Sequence, residues 1–387
     1  MATSAISCRP MFVGRPLLVG FAAFAASEAT LATKTCAAAD GSCSGVNLDP
    51  TVAKYIDELH TEDSLYANGA WTKPTSADGE AIDVIDPSTA QKIAKVSIAN
   101  KSDADSAVSA AKKALEGWSI DTTLNERRQL VSKLLSLYKK HSEQMAQLIT
   151  HEMGAPINFS RSAQVGSGVE AMEQFLHDTG EEGNFESVYR LEDEDDTMIY
   201  HQAIGVVALI TPWNWPMNQI VLKVIPALLV GCTVILKPSE LTPLSGILFA
   251  QLIHMAGFPP GVFQLVNGYG KDHVGEWLSS HPDVDMISFT GSTRAGKQVS
   301  LVAANTLKRV SLEMGGKGAN IIFDDLVEDD GNMDDFREVV ESGVWEVMSN
   351  SGQSCDAPTR MFVPEKYYDV ALEVAKETAS SISVGLA

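Results

Sequence analysis

The residues best suited to chemistry in this sequence surround a single cysteine. Cys355 lies in the run NSGQSCDAPTR (residues 350–360), where small polar side chains and a glycine favour an exposed turn over a packed core. A thiol acts as a nucleophile when it is partly exposed and its thiolate is stabilised by neighbouring groups, which such a turn allows. Because a lone free cysteine is more often a small buried hydrophobic residue, the local sequence is what makes Cys355 a candidate nucleophile.

Three other polar segments lie beside predicted buried strands. TPWNWP (residues 211–216) places Asn214 after one strand, LKPSE (236–240) follows the next, and LEMGGKG (312–318) places Glu313 beside a glycine pair after a strand-like piece. Open α/β sheets bind ligands at the carboxyl ends of their strands, so these segments are candidate site residues. From the residues alone, Asn214 could equally cap the following helix and Glu313 could be an ordinary loop carboxylate.

Two nucleotide-binding motifs are nearly present but incomplete. GSTRAGK (residues 291–297) resembles a P-loop, but Gln298 stands where a Ser or Thr would hold Mg²⁺. Gly268 and Gly270 would begin a dinucleotide fingerprint, yet its third glycine is replaced by His273. A P-loop hydrolase is therefore only a minor hypothesis.

Composition excludes several classes of protein. The 387 residues carry 29 Lys and Arg against 50 Asp and Glu, a net charge of −21, which argues against nucleic-acid partners because these need basic surfaces. A local basic pocket for a phosphate-bearing cofactor remains compatible with this charge.

The apolar run 220–236 is interrupted by Lys223 and Pro226, so we expect no membrane span. The five cysteines contain no CxxC pair, so we expect neither a disulfide framework nor a metal site.

Residues 1–48 have the composition of a leader. Arg9 and Arg15 precede or flank an apolar stretch at residues 17–26, and no acid occurs before residue 28. These features fit a secretory signal and equally an organellar transit peptide for a mitochondrion or plastid. Both destinations remain open.

The elements that would position the candidate residues begin near Asp49. Short β-prone pieces lead to three helices, the first with Ser102 as predicted N-cap and Gly117 as predicted end. Asn125 is predicted to open the second helix, and Gly154 follows the third. Residues 181–202 hold two β-prone pieces around an acidic tip and predict a projecting hairpin, although the acids themselves also fit a solvated loop.

From Gly205 onward, predicted strands alternate with predicted helices. Such alternation indicates βαβ units around a parallel sheet, and therefore an α/β fold. The predicted strands are Val206–Ile210, Thr233–Leu236, Val262–Val266, Met286–Phe289 and Arg309–Leu312. The predicted helices between them are Asn218–Val230, Pro243–Met255 and Val274–Ser279.

From about Asp49 to its end, the sequence resembles the aldehyde dehydrogenase superfamily. The motifs that carry the resemblance occur in the order TPWNWP, ILKPSE, FTGS, LEMGGK and NSGQSC. The resemblance implies a Rossmann-like, doubly wound parallel sheet in an NAD-binding domain of residues 49–180 and 203–312. It further implies an oligomerisation hairpin at 181–202. Residues 313–387 would be the first, incomplete part of a second α/β domain, the catalytic domain.

The resemblance also assigns catalytic roles. Cys355 would attack an aldehyde carbonyl, and its backbone N–H and the Asn214 side-chain amide would bind the developing oxyanion. Loss of hydride to a nicotinamide would leave a thioester. Glu313 would be the general base that activates the thiol or the water that hydrolyses the thioester. The expected product is a carboxylic acid.

A second group of residues would bind the cofactor. Lys237 and Glu240 would hold the adenosine ribose, and the carboxylate would favour NAD while leaving NADP possible. Ser292, preceded by Gly291, would lie near the pyrophosphate at a helix N-terminus. By resemblance, Trp213 and Gly270 complete the cofactor-binding set.

Two departures from the family pattern affect what we expect. Residues 328–335 form an acidic stretch predicted to be a surface loop. Only 387 − 355 = 32 residues follow Cys355, and family members continue through more of the catalytic domain and an oligomerisation strand. We therefore expect an incomplete catalytic domain, with homo-oligomers for a full-length form. An inactive protein that retains dinucleotide binding is the alternative to an NAD-dependent aldehyde dehydrogenase, whose particular aldehyde stays open.

Overall fold

The computed structural model describes residues 16–17, 48–75, 80–180, 188–190, 197–327 and 332–385. The chain divides into two compact units, with the boundary between Met314 and Gly315. The part up to Met314 is called the large unit here. The part from Gly315 onward, together with the short strand at residues 16–17, is called the small unit. Residues 1–15 and 18–47 of the predicted leader lie outside the described residues.

Fourteen strands occur in the described part of the chain. They are β1 (Pro16–Leu17), β2 (Leu65–Ala67), β3 (Ala70–Thr72), β4 (Ala81–Asp86), β5 (Gln91–Ser97), β6 (Val188–Arg190), β7 (Met198–Tyr200), β8 (Val206–Ile210), β9 (Thr233–Lys237), β10 (Phe263–Leu265), β11 (Met286–Gly291), β12 (Arg309–Met314), β13 (Ala319–Ile321) and β14 (Arg360–Phe362).

The same residues contain twelve α-helices. They are α1 (Pro50–Asp57), α2 (Lys101–Ser119), α3 (Leu124–Lys140), α4 (Ser142–Met153), α5 (Ile157–Phe159), α6 (Val165–Asp178), α7 (Pro216–Leu229), α8 (Pro243–Ala256), α9 (Val274–Ser280), α10 (Thr293–Ala303), α11 (Asp334–Met348) and α12 (Tyr368–Ser381). A π-helix at Ser160–Gln164 joins α5 to α6, and short 3₁₀ turns occupy Ala304–Thr306, Asp324–Leu326, Ser349–Gly352 and Glu365–Tyr367.

A seven-stranded sheet forms the centre of the large unit. Its order is β12-β11-β8-β9-β10-β2-β3, in which the first five strands are parallel and the last two antiparallel. The predicted α/β fold with a mostly parallel sheet is therefore confirmed. Two further antiparallel pairs, β4 with β5 and β6 with β7, lie outside this sheet.

Helices cover both faces of the sheet because successive strand residues point to opposite sides. Val207 and Leu209 face a core built with α3, α4, α6, α7 and α8. Val206, Ala208 and Ile210 face a second core with α2, α9 and α10. The continuous apolar runs in the strands follow from this two-sided burial.

The start and end of α2 differ from the prediction. Asn100, not Ser102, is the N-cap: its side chain accepts from the backbone N–H of Asp103 at 3.0 Å, and Asp103 accepts from the N–H of Asn100 at 3.0 Å. This reciprocal capping box satisfies two backbone donors at once. The helix also continues past Gly117, because the next residue, Trp118, is buried and anchors the last turn.

The second and third predicted helices are present with small shifts. Helix α3 begins at Leu124 after a capping box of Thr123 and Glu126, one residue before Asn125. Helix α4 ends at Met153 and is capped by Gly154, whose φ of 81° is the left-handed conformation that glycine adopts without strain.

The predicted hairpin of residues 181–202 is present as paired strands. Val188–Arg190 and Met198–Tyr200 pair antiparallel. The acidic tip between them lies outside the described residues.

The small unit has its own sheet and core. Its strand order is β1-β14-β13, with β13 and β14 parallel and β1 antiparallel to β14. The unit has its own apolar core, which α11 and α12 help to form. The acidic stretch was predicted to be a loop, but Asp334 and Asp335 form the first turn of α11, where the helix dipole favours acids. Residues 328–331 lie outside the described part.

No helix among the described residues has both the length and the apolar character needed to cross a membrane.

Candidate functional site

The register of the parallel strands brings the polar segments of the large unit to one edge. Ile210 pairs with Lys237 and with Phe289, and Thr290 pairs with Glu313. The chain passes from β8 to β9 and β10 on one side, and then crosses back to β11 and β12 on the other. This reversal beside β8 is the kind of position where open α/β sheets bind ligands.

Asn214 lies in the loop between β8 and α7, directly at this reversal. The residue is half-buried, and its backbone carbonyl accepts a hydrogen bond from Nε2 of Gln164 at 2.9 Å. The ring of Trp215 meets that of Phe159 edge-on, with centroids 5.5 Å apart. Trp213 is half-buried against the core of helices α3 to α8. The loop is thus held by contacts with a segment some 50 residues earlier in the sequence.

Lys237 ends β9 and is almost completely buried, with 2% of its side chain exposed. Its Nζ donates to the carbonyl of Pro238 at 3.0 Å and lies 3.5 Å from Oε2 of Glu240. Burial lowers the pKa of Lys237, and the attraction of the Glu240 carboxylate opposes this effect. The buried ammonium therefore holds a partly exposed carboxylate at the carboxyl edge of the sheet.

The end of β11 and the start of α10 form a second part of this edge. Ser292 is the N-cap of α10, and its Oγ accepts from the backbone N–H of Ala295 at 3.2 Å. A Cβ at Gly291 would lie 2.7 Å from Cζ of Phe289, so a side chain there would displace the ring. The residue that leads into Ser292 and the exposed first turn of α10 therefore has no side chain.

Gly270 lies in the turn that precedes α9. Its carbonyl accepts from the backbone N–H of Glu276 at 2.9 Å. A Cβ at this position would meet no described atom within 4 Å, so the described residues do not require glycine there.

Glu313 is part of strand β12, whereas the sequence predicted a position after the strand. The strand extends to Met314 because Thr290 and Gly291 of β11 continue the pairing with its last two residues. Glu313 is exposed at the end of the strand. The correction places this carboxylate on a fixed element rather than on a loop.

Lys223 is a site residue that sequence analysis treated only as an interruption of an apolar run. Its Nζ donates to Oγ of Ser288 at 3.1 Å. Burial lowers the pKa of Lys223, and the attraction of Glu313 opposes this effect, which places the two charges within electrostatic reach. The signal in the sequence was a single charged residue in an otherwise apolar predicted helix. Because burying a charge is costly unless it is paired, such a residue indicates a polar partner.

Cys355 belongs to the small unit, on an exposed turn after α11. Asn350 and Ser351 adopt φ of 53° and 57°, the left-handed region that non-glycine residues rarely occupy. Nδ2 of Asn350 donates to the carbonyl of Gln353 at 3.2 Å, and Nε2 of Gln353 donates to the carbonyl of Asn350 at 3.1 Å. The predicted exposed turn is present. The other cysteine in the described chain, Cys232, is buried, and burial raises its pKa.

Two observations at the carboxyl edge bear on a bound cofactor. Oγ1 of Thr211 and Oγ1 of Thr290 are buried and have no hydrogen-bond partner among the described residues. With bare Gly291, the capped helix α10 and the Glu240 carboxylate, the donor and acceptor set fits a dinucleotide. Within the described ranges, no group of three or more His, Cys, Asp or Glu side chains could hold a metal ion.

Comparison with known proteins gives consistent similarities. The sequence profile described as aldehyde dehydrogenase family matches residues 71–387. A 3-succinoylsemialdehyde-pyridine dehydrogenase from a Pseudomonas species is 41% identical over 329 aligned residues, and the match covers 83% of this chain and 64% of that protein. The chain thus spans just under two thirds of the length of this curated relative.

Solved structures of similar proteins give the same result. An aldehyde dehydrogenase from Bartonella henselae has 49% sequence identity and a TM-score of 0.77, covering 83% of this chain and 64% of that one. A variant of aldehyde dehydrogenase C from Pseudomonas syringae, in complex with NAD⁺ and octanal, has 42% identity and a TM-score of 0.78, covering 88% and 65%.

Proposed function

Since this chain belongs to the aldehyde dehydrogenase family, we propose that it oxidises an aldehyde to a carboxylic acid with NAD as the hydride acceptor. The observation that carries the proposal is the alignment of the strand ends at one edge of the parallel sheet. Lys237, Gly291 and Glu313 lie at these ends, and Asn214 lies in the loop that follows β8. These residues are spread over about 100 positions, and only the strand register brings them together.

The large unit would act as a Rossmann-like dinucleotide-binding domain. Hydroxyls of the adenosine ribose would donate to Glu240, and its negative charge would repel a 2′-phosphate, so NAD would be preferred over NADP. The pyrophosphate would accept from backbone N–H groups after Ser292, at the positive end of α10. Trp213 would form a wall of the cleft, and Gly270 would lie at its edge in the turn before α9. The nicotinamide of a bound NAD would accept the hydride.

The chemistry would begin with the Cys355 thiolate attacking the aldehyde carbon, which forms a C–S bond and an oxyanion. The side-chain amide of Asn214 and the backbone N–H of Cys355 would donate to that oxygen, each worth about 3 kcal/mol in the transition state. Departure of hydride from the same carbon leaves a thioester on Cys355. Water then attacks the thioester, and the acid is released as the thiol is restored.

Glu313 would accept the proton from the thiol in the first step or from water in the last. Lys223, held by its hydrogen bond to Ser288, is the charged neighbour that the described residues give to this carboxylate. Glu313 on a strand supports this role, since sites built on strands are held more accurately than sites on loops.

The remaining parts of the chain complete the proposal. Residues 49–180 and 203–312 would form the NAD-binding domain and residues 313–387 the first part of a catalytic domain, close to the boundary of the compact units at Met314. The hairpin within 181–202 would contribute to a homo-oligomer of a full-length form. Sedimentation of a full-length form as a monomer at assay concentration would contradict the oligomer.

An inactive form that binds the dinucleotide is the second candidate. What favours it is that the proposed cofactor residues all lie in the large unit, whereas Cys355 lies in the small unit. Binding therefore does not need the unit that carries the nucleophile.

The deciding experiment measures NADH formation with a panel of aldehydes that begins with octanal. We expect turnover by the unaltered chain, loss of turnover in Cys355→Ala with NADH binding retained, and turnover retained in the matched control Cys232→Ala. Dinucleotide binding by the unaltered chain without turnover on any aldehyde would favour the second candidate.

A further inference from the structure

Gln164 is a completely buried glutamine at the end of the π-helix Ser160–Gln164, with 0% of its surface exposed. Burying an amide is costly unless its polar atoms are hydrogen-bonded. The Nε2 of Gln164 donates to the backbone carbonyl of Asn214 at 2.9 Å and lies 3.5 Å from Sδ of Met153. The cost of burial is thus offset by a hydrogen bond to the loop after β8.

The segment that carries Gln164 is itself firmly held. Oγ1 of Thr150, on α4, donates to Oγ of buried Ser160 at 2.8 Å. At the preceding residue, the ring of Phe159 contacts Trp215 edge-on at 5.5 Å. The stretch from Phe159 to Gln164 therefore contacts two successive residues of the β8–α7 loop, Asn214 and Trp215. Isolated π-helical turns inside helices occur frequently at functional sites.

We propose that Gln164 is a positioning residue that sets the orientation of Asn214 for oxyanion binding. The inference rests on the proposed function, because it assumes that the Asn214 amide meets a developing oxyanion. A donor is effective only when it lies about 2.7 to 3.1 Å from that oxygen. The Gln164 hydrogen bond holds the Asn214 backbone, and the side-chain amide is aimed from that backbone.

The direct test replaces Gln164 by methionine, which keeps the side chain's size and removes the amide donor. The matched control is Gln264→Met. Gln264, on β10, also has 0% exposure, but its side chain accepts from the backbone N–H of Asn68 at 2.8 Å, in the turn between β2 and β3. Two rates are measured: NADH formation from octanal, and release of 4-nitrophenolate when 4-nitrophenyl acetate acylates Cys355 without cofactor. Both reactions form an oxyanion at the same position.

We expect Gln164→Met to lower both rates about 10- to 100-fold, with the Kd for NADH changed less than twofold. Gln264→Met should stay within about threefold of the unaltered chain. Asn214→Ala alone should lower both rates about 100- to 1000-fold. Because Gln164 acts through Asn214, adding Gln164→Met to Asn214→Ala should cause little further loss, and this non-additivity would not follow from a merely structural role.

Full activity of Gln164→Met beside an impaired Asn214→Ala overturns the inference, as does additive loss in the double variant. Normal rates in Asn214→Ala contradict the proposed function instead. A crystal structure of Gln164→Met tests the same point in a chain without turnover: the Asn214 side chain should move by about 1 Å or more. An unmoved Asn214 overturns the inference.

Discussion

Lys237 and Glu240 form an ion pair in which the ammonium is buried and the carboxylate is not. Nζ and Oε2 are 3.5 Å apart, while 2% of the lysine side chain and 37% of the glutamate side chain are exposed. The buried ammonium therefore holds the carboxylate in place. The exposed part of the carboxylate can accept hydrogen bonds from a ligand.

This arrangement predicts that Glu240 controls the choice of cofactor. We expect Glu240→Gln to weaken NADH binding about 5- to 10-fold, because hydrogen bonds to a charged acceptor are stronger, and to strengthen NADPH binding, because the repulsion of a 2′-phosphate is removed. Fluorescence titration with both cofactors measures the two Kd values. The control is Glu58→Gln, an exposed acid that also pairs with a lysine, at 3.8 Å, but away from the carboxyl edge of the sheet and with an exposed lysine partner; it should change neither value.

Glu313 predicts a defined kinetic defect. If Glu313 is the proposed general base, replacing it by glutamine should lower steady-state NADH formation about 100- to 10,000-fold. Rapid mixing then distinguishes its two candidate roles: a burst of about one NADH per chain remains if the base acts on water, and disappears if it acts on the thiol. A variant with normal steady-state turnover would exclude Glu313 from both roles.

Glu152 predicts how stability depends on pH. Its carboxylate is buried at the start of α8, and burial raises its pKa from 4.5 to about 7, against hydrogen bonds from Ser245 and Leu244. Between pH 4.5 and 7 the unfolded state ionises while the native state keeps the proton, so the free energy of unfolding should fall by up to about 3 kcal/mol as pH rises. Urea denaturation should show this slope, and Glu152→Gln should lack it.

An exposed glutamate supplies a control of opposite sign. Hydrogen bonds from Arg161 and then Gln147 lower the pKa of Glu143 to about 2. Its contribution to stability is therefore fully present above pH 4.5 and is lost as pH falls from 4.5 towards 2, so Glu143→Gln should lower stability most above pH 4.5 and progressively less below it. If both variants gave the same slope as the unaltered chain, the sign argument would be wrong.

Two glycines predict opposite effects of alanine. A Cβ at Gly291 would lie 2.7 Å from the buried Phe289 ring, so Gly291→Ala should lower the free energy of unfolding by about 1 to 3 kcal/mol and weaken NADH binding. A Cβ at Gly117 in helix α2 would meet only Asp121 Oδ2 at 3.9 Å, so Gly117→Ala should stabilise by about 0.5 to 1 kcal/mol. Thermal unfolding of both variants checks the pair.

Much of this was available from the sequence because it is encoded locally. Strands such as Val206–Ile210 and Thr233–Lys237 are short apolar runs, and each is followed by polar residues that a packed core would not accept. Helix ends were less accurate, because side-chain hydrogen bonds decide them: Asn100 caps α2 only through its reciprocal contact with Asp103. Glu313 was misplaced for a related reason, since β12 extends as far as its partner β11 allows.

The sequence by itself determined the family and the alternation of strands and helices. Apolar periodicity and the order of motifs are both read along the chain, without knowing which segments contact each other. The tertiary structure alone decided which strands are neighbours, and so that Thr290 pairs with Glu313. It also decided that Gln164 reaches Asn214, 50 residues away, and that Lys223 lies within reach of Glu313. Such contacts depend on how helices pack against a finished sheet, which no local pattern specifies.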